Sequence, residues 1–195
     1  MAAKKILGLL AVIVLTVVFF PEGERSREDG VLVEQVPRQN PVSRPPFDLD
    51  GHRIEALAEF EIDARVLGKE RYWLDRESDL SKYDLALGWG AMSDSRVLDR
   101  IEISQSGRWY RWRTEQLPIP RQEIEHSSAN MHLIAADSYI ERQISAVRTG
   151  DLVRISGYLV RAVSPDGWRW QSSLTRDDVG QGACELVYVE SIEIL

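Results

Sequence analysis

The chain has 195 residues, 44% hydrophobic and 28% charged, which excludes disorder, collagen-like repeats and a multi-span membrane protein. Its formal charge is −7; setting aside Lys4, Lys5 and the four arginines and five acids of 21–46 leaves −8 on 47–195. So acidic a body is a poor general nucleic-acid binder and no nucleic-acid partner is expected, while a single cysteine excludes an internal disulfide framework and multi-cysteine zinc motifs.

Met1–Lys5 is a short positive stretch, followed by the uncharged run Ile6–Phe20 (ILGLLAVIVLTVVFF) and Pro21. Fifteen helical residues reach roughly 22 Å against a bilayer core of about 30 Å; local thinning and snorkelling lysines make up the rest. Val18-Phe19-Phe20-Pro21 offers neither a small-x-small cleavage site nor a cysteine for lipid. Residues 1–20 are therefore expected to be an uncleaved signal anchor, a transmembrane helix holding the chain in the membrane through 6–20, rather than a cleaved signal peptide. The lysines place the N-terminus in the cytoplasm, so the expected location is the inner (cytoplasmic) membrane, single-pass, with an extracytoplasmic, periplasmic domain.

Residues 21–46 carry Pro37, Pro41, Pro45 and Pro46 beside Arg25, Arg27, Arg38 and Arg44. Proline removes donors and disfavours helix at its predecessor, so the stretch reads as an extended linker, with Val31-Leu32-Val33 the one patch able to add a strand elsewhere.

Residues 47–195 read as one mainly-β domain. Phe60–Val66 alternates apolar and charged residues at period 2. Tyr72-Trp73-Leu74 and Leu85-Ala86-Leu87 are shorter strand candidates, the second running into Gly88-Trp89-Gly90, whose tryptophan is either an exposed loop tip or tucked under the loop. Ile101–Gln105, Ser106-Gly107 and Arg108–Arg113 predict a hairpin. Ser138 with Glu141 forms a capping box opening a helix near 138–149; Ile140, Ile144 and Val147 share a face and Gly150 supplies the stop. A long strand from Asp151 has a bulge or bend at Gly157; Ser164-Pro165-Asp166-Gly167 is a turn, and Cys184–Val189 closes the chain. Strands, one helix and further strands resemble a β-barrel of the OB type, a likeness of topology that carries no functional residues; an α+β sandwich is the alternative.

Five constellations carry candidate chemistry. His126, His132 and Asp137 could ligate a metal if the two histidines share a strand, though Ser127–Asn130 reads as a turn that breaks it. Cys184 with His132 could act as thiol and base, against burial of the thiol as a small hydrophobe beside Leu186 and Tyr188. Arg176-Asp177-Asp178 before Gly180 and Gly182 reads as a turn rather than a calcium loop, and no cofactor is expected. The Gly-Trp-Gly tip is the fourth. The fifth is the aromatic-arginine stripe: Trp109, Arg111 and Arg113 on one face of a strand, Arg108, Tyr110 and Trp112 on the other, then Trp168 and Trp170, with Arg176 nearby in sequence. The expected function is an anchored module binding a partner protein or an envelope polymer such as a glycan through this stripe, more in keeping with a non-enzyme. The alternative is an envelope hydrolase using His132 with Cys184 or a metal.

Overall fold

The computed structural model describes residues 23–175 and 184–195. The expected anchor and the loop containing Arg176, Asp177 and Asp178 lie outside the described residues. Among the described residues no helix is long and apolar enough to cross a membrane.

The fold is mostly β, organised as one large mixed sheet. Its spine is β3 (His52–Arg71), a 20-residue strand far longer than its alternating segment. Ala58, Phe60, Ile62, Ala64 and Val66 are all buried, as period 2 requires. Register shifts at Leu57 and Leu67 insert one extra residue each, bending β3 so that it meets different partners along its length. Its first part pairs antiparallel with β8 (Leu152–Val163) and its last with β4 (Tyr83–Gly88). β4 pairs antiparallel with β7 (Ser128–Ala135), β7 parallel with β10 (Glu185–Ile194), and β10 antiparallel with β8. The ladder thereby returns to β3. Short strands β1 (Arg38–Asn40), β2 (Phe47–Leu49) and β9 (Arg169–Gln171) extend it at β3 and β8. β5 (Glu102–Ser106) and β6 (Trp109–Arg113) form a separate hairpin.

Inside the circuit, Phe60, Ile62, Leu85, Leu87, Met131, Leu133, Ile155, Val187 and Val189 form the main core. Short helices α1 (Ser95–Leu98) and α2 (Arg121–His126) precede α3 (Ser138–Ala146), whose Ile140 and Ile144 join this core together with Val147, as the spacing predicts. The cap differs by one residue: Asp137, not Ser138, is the N-cap, accepting from the N–H groups of Tyr139 and Ile140. A carboxylate satisfies both donors and favours the positive helix end, so it takes the position ahead of the serine.

Other expectations shift similarly. Tyr72-Trp73-Leu74 is not a strand: Trp73 stacks under the Arg71 guanidinium, and Asp75 caps a 3-10 turn at Arg76–Asp79. Ser128–Asn130, read as a turn, opens β7, because pairing to Leu87 and Ala86 satisfies its backbone. Trp89 is 2% exposed, the tucked alternative, under a 3-10 turn at Gly90–Ser93. Gly157 does mark an irregularity, but the extra residue is Glu190 on the facing strand β10.

From Arg25 onward the stretch expected as a linker is laid along the body. The Arg25 N–H donates to the Thr149 carbonyl at 2.9 Å, and its guanidinium lies 2.7 Å from the fully buried Asp151 carboxylate. Arg27 donates to the Gly150 carbonyl, the Leu32 and Val33 N–H groups donate to the Ser93 hydroxyl, and Val33 enters the main core. Arg44 ends the strap above the rings of Phe47, Tyr158 and Tyr188, paired with Glu190.

Candidate functional site

The hairpin turn is the starting point. Ser106 faces Trp109, so the two-residue turn is Gly107-Arg108, one residue later than the sequence suggests. Both residues have positive φ, 57° and 69°, as a type I′ turn requires. For arginine that conformation is strained. What holds it is the reach of its side chain across the outer face of β4 and β7.

Arg108 is the hub of a largely buried network. Its guanidinium donates to both carboxylate oxygens of Asp75 (2.8 and 2.9 Å), to Asp84 Oδ1 (2.8 Å) and to the Ser81 carbonyl (2.7 Å). It lies 3.9 Å from the Tyr72 ring centre and 5.7 Å from that of Trp170, and its backbone N–H donates to the Tyr72 hydroxyl. Asp84, 0% exposed, also accepts from Asn130 Nδ2, while Gln105 donates to Asn130 Oδ1. His132, 4% exposed, places Nδ1 2.9 Å from Asp84 Oδ2, close but poorly aligned for a hydrogen bond, and packs its ring 4.9 Å from Trp170. Trp170 in turn lies 6.0 Å from Trp168. Arg76 joins the two flanking loops, resting on Trp168 and pairing with Asp166.

Burial works against the Arg108 charge, but Asp75 and Asp84 more than offset it and hold the guanidinium above its ordinary value. The same hydrogen bonds hold the Asp75 carboxyl below its ordinary value of 3.8. A depressed carboxyl stabilises the fold above its ordinary value and loses that contribution as pH falls through its folded value. Thermal melting of the wild type should therefore drop steeply below about pH 4. In Asp75→Asn that acid limb should be shallower; an unchanged limb would refute the role given to this pair.

The candidates named from sequence separate. Trp168, just before β9, and Trp170, on it, join the network. Trp109, Arg111 and Arg113 share one face of β6, as alternation predicts, and it is the outward one, with Arg111 on Ser106 and Arg113 on Glu102, while Tyr110 and Trp112 pack inward. His126 ends α2, His132 lies within β7 and Asp137 caps α3, so the histidines do not share a strand. Among the described residues no three His, Cys, Asp or Glu side chains form a group able to hold a metal. Cys184 is half-buried just before β10, and its carbonyl accepts from the Ser173 N–H. Sequence reasoning passed over Asp75, Asp84 and Asn130, and set Arg108 on a strand face with Tyr110 and Trp112, whereas it stands in the turn. The usable signal was Asp84, a charge inside the apolar strand Tyr83–Gly88.

Comparison of the chain with protein-family models, with curated proteins and with solved structures finds no match.

Proposed function

We propose that this chain is a single-pass, membrane-anchored binding module. Residues 1–20 form the anchor, and the extracytoplasmic domain is an OB-like barrel that holds an envelope glycan on its aromatic-arginine face. The strand circuit supports the barrel: first, second, third, fifth and fourth strands pair in that order and close on the first, with α3 between the third and fourth. OB barrels bind oligonucleotides or oligosaccharides on strands two and three, flanked by the loops after strands one and four. The single observation that carries the reading is that Asp84 and His132 stand on those strands, β4 and β7, and hold Arg108 and Trp170 against them, beside the loop 72–82 and the β8–β10 connection. The acidic body disfavours the nucleic-acid option. Tryptophan faces stack on flat ligands, and the exposed Arg76 and Asp166 beside Trp168 offer a guanidinium and a carboxylate to a polyhydroxylated one.

Full-length protein in detergent should be retained on immobilised cell-wall glycan, and Trp168→Ala should weaken retention about tenfold, equivalent to ~1.4 kcal/mol. Retention unaffected by the substitution, or no retention, would overturn the proposal. Cleavage of the glycan would instead favour the hydrolase, for which the Asp84 carboxylate beside His132 is the supporting observation.

A further inference from the structure

The strap fixes where the chain leaves the body. Arg25 is held at Thr149 and Asp151, and Gly150 at φ 87° is required there: a Cβ would sit 2.0 Å from the Arg25 carbonyl oxygen. Only residues 21–24 separate Arg25 from Phe20, the end of the apolar run. They span at most ~18 Å. If 1–20 is the anchor, the corner around residues 148–151 stands within that distance of the hydrocarbon edge, at or just above the headgroups.

That corner is basic on an acidic protein. A groove of about 490 Å³ opens between the end of β3 and the C-terminal end of α3. Lys69, Arg71 and Arg148 line it with Tyr83, and none of its lining residues carries a carboxylate. Lys69 bridges the Ser145 and Val147 carbonyls, which neutralises the negative end of the helix. Glu70 alternates to the other face of β3, and Glu141 is paired with Lys82. Beyond the groove, the Arg71 guanidinium covers the ring of Trp73, which is 66% exposed, and Leu74 beside it is 99% exposed. Cations backed by an exposed indole and leucine match a membrane interface, where basic groups meet anionic headgroups and tryptophan sits at their level.

We infer that this corner, Lys69, Arg71 and Arg148 with Trp73 and Leu74, is a docking surface for the anionic phospholipid headgroups of the membrane that holds the chain. The docking rests on the anchor reading. It sets the orientation of the domain and so the direction in which the Arg108 face looks.

The test uses the full chain with Cys184→Ser and a fluorophore on Ala146→Cys, in nanodiscs of phosphatidylcholine alone or mixed with phosphatidylglycerol. Quenching by headgroup-attached spin label should rise with phosphatidylglycerol and fall with added salt. In Arg71→Glu, and in Arg71→Gln with Arg148→Gln, the docked-to-undocked ratio should fall about fivefold per cation removed. Arg71 is exposed, so its single variant keeps the test decisive if the double variant unfolds. Quenching indifferent to lipid charge, or unchanged in Arg71→Glu, overturns the docking and leaves the anchor standing. Protein recovered outside the discs overturns both.

Discussion

Asp84→Ala is expected to destabilise the protein by about 3 kcal/mol, a large part of the ~5–15 kcal/mol that holds a domain of this size together. The substitution leaves Asn130 Nδ2 and one arm of Arg108 facing an emptied, fully buried site. The cost falls at the lower end of the range for broken buried pairs because Arg108 keeps Asp75 and the Ser81 carbonyl. Urea unfolding at neutral pH measures it. Arg113→Ala, which removes an exposed pair with Glu102, is the contrast and should change stability by less than ~1 kcal/mol. Combining Asp84→Ala with Arg108→Met should cost less than the two singles added, since each single substitution takes the same Asp84–Arg108 bond from the residue that remains. Full additivity would mean that the two side chains do not act as one unit.

Gly157→Ala should be as damaging for a different reason. Gly157 pairs with Phe60 on one side and Val189 on the other, at the place where β3, β8 and β10 meet. A Cβ there would sit 1.9 Å from the Tyr188 carbonyl oxygen and 3.1 Å from the Glu190 nitrogen, both backbone atoms. Neither can rotate away as a side chain can. Relief requires one of the ladders to open, at a cost of about 3 kcal/mol or more. Gly51→Ala provides the control: its φ of 76° is unfavourable for alanine, yet a Cβ there meets nothing within 4 Å. Strain alone should cost it about 1 kcal/mol. Equal melting temperatures for the two variants would refute the clash argument.

How much was legible in the amino-acid order follows from what each signal reports. Period 2 in Phe60–Val66 and the 140/144/147 spacing of α3 report burial of one face, and both faces are buried as read. The hairpin was legible because a small residue beside glycine marks a tight turn. Its register was not, because the second turn residue is an arginine held at positive φ by acids 24 and 33 positions away. Distant ion pairs leave no local pattern. For the same reason the strap read as linker: its prolines and arginines describe an extended chain, and only the fold supplies Asp151, Ser93 and the Thr149 carbonyl that receive it. The site candidates divided likewise. Strand alternation put Tyr110 with Trp112 on one face and Trp109 on the other without saying which is buried, whereas the convergence of Asp75, Asp84 and Trp170 on one guanidinium, with Asn130 bonded to Asp84, joins residues far apart in the chain.

The parallel pairing of β7 with β10 has a consequence for biogenesis. β10 follows both β7 and β8 in the chain, and it fills the gap between them. Until β10 leaves the ribosome, β7 and β8 each carry a bare strand edge, a template for intermolecular association. A ribosome stalled shortly before residue 185 would release a species prone to aggregation and open to proteases, so quality control of this protein turns on β10.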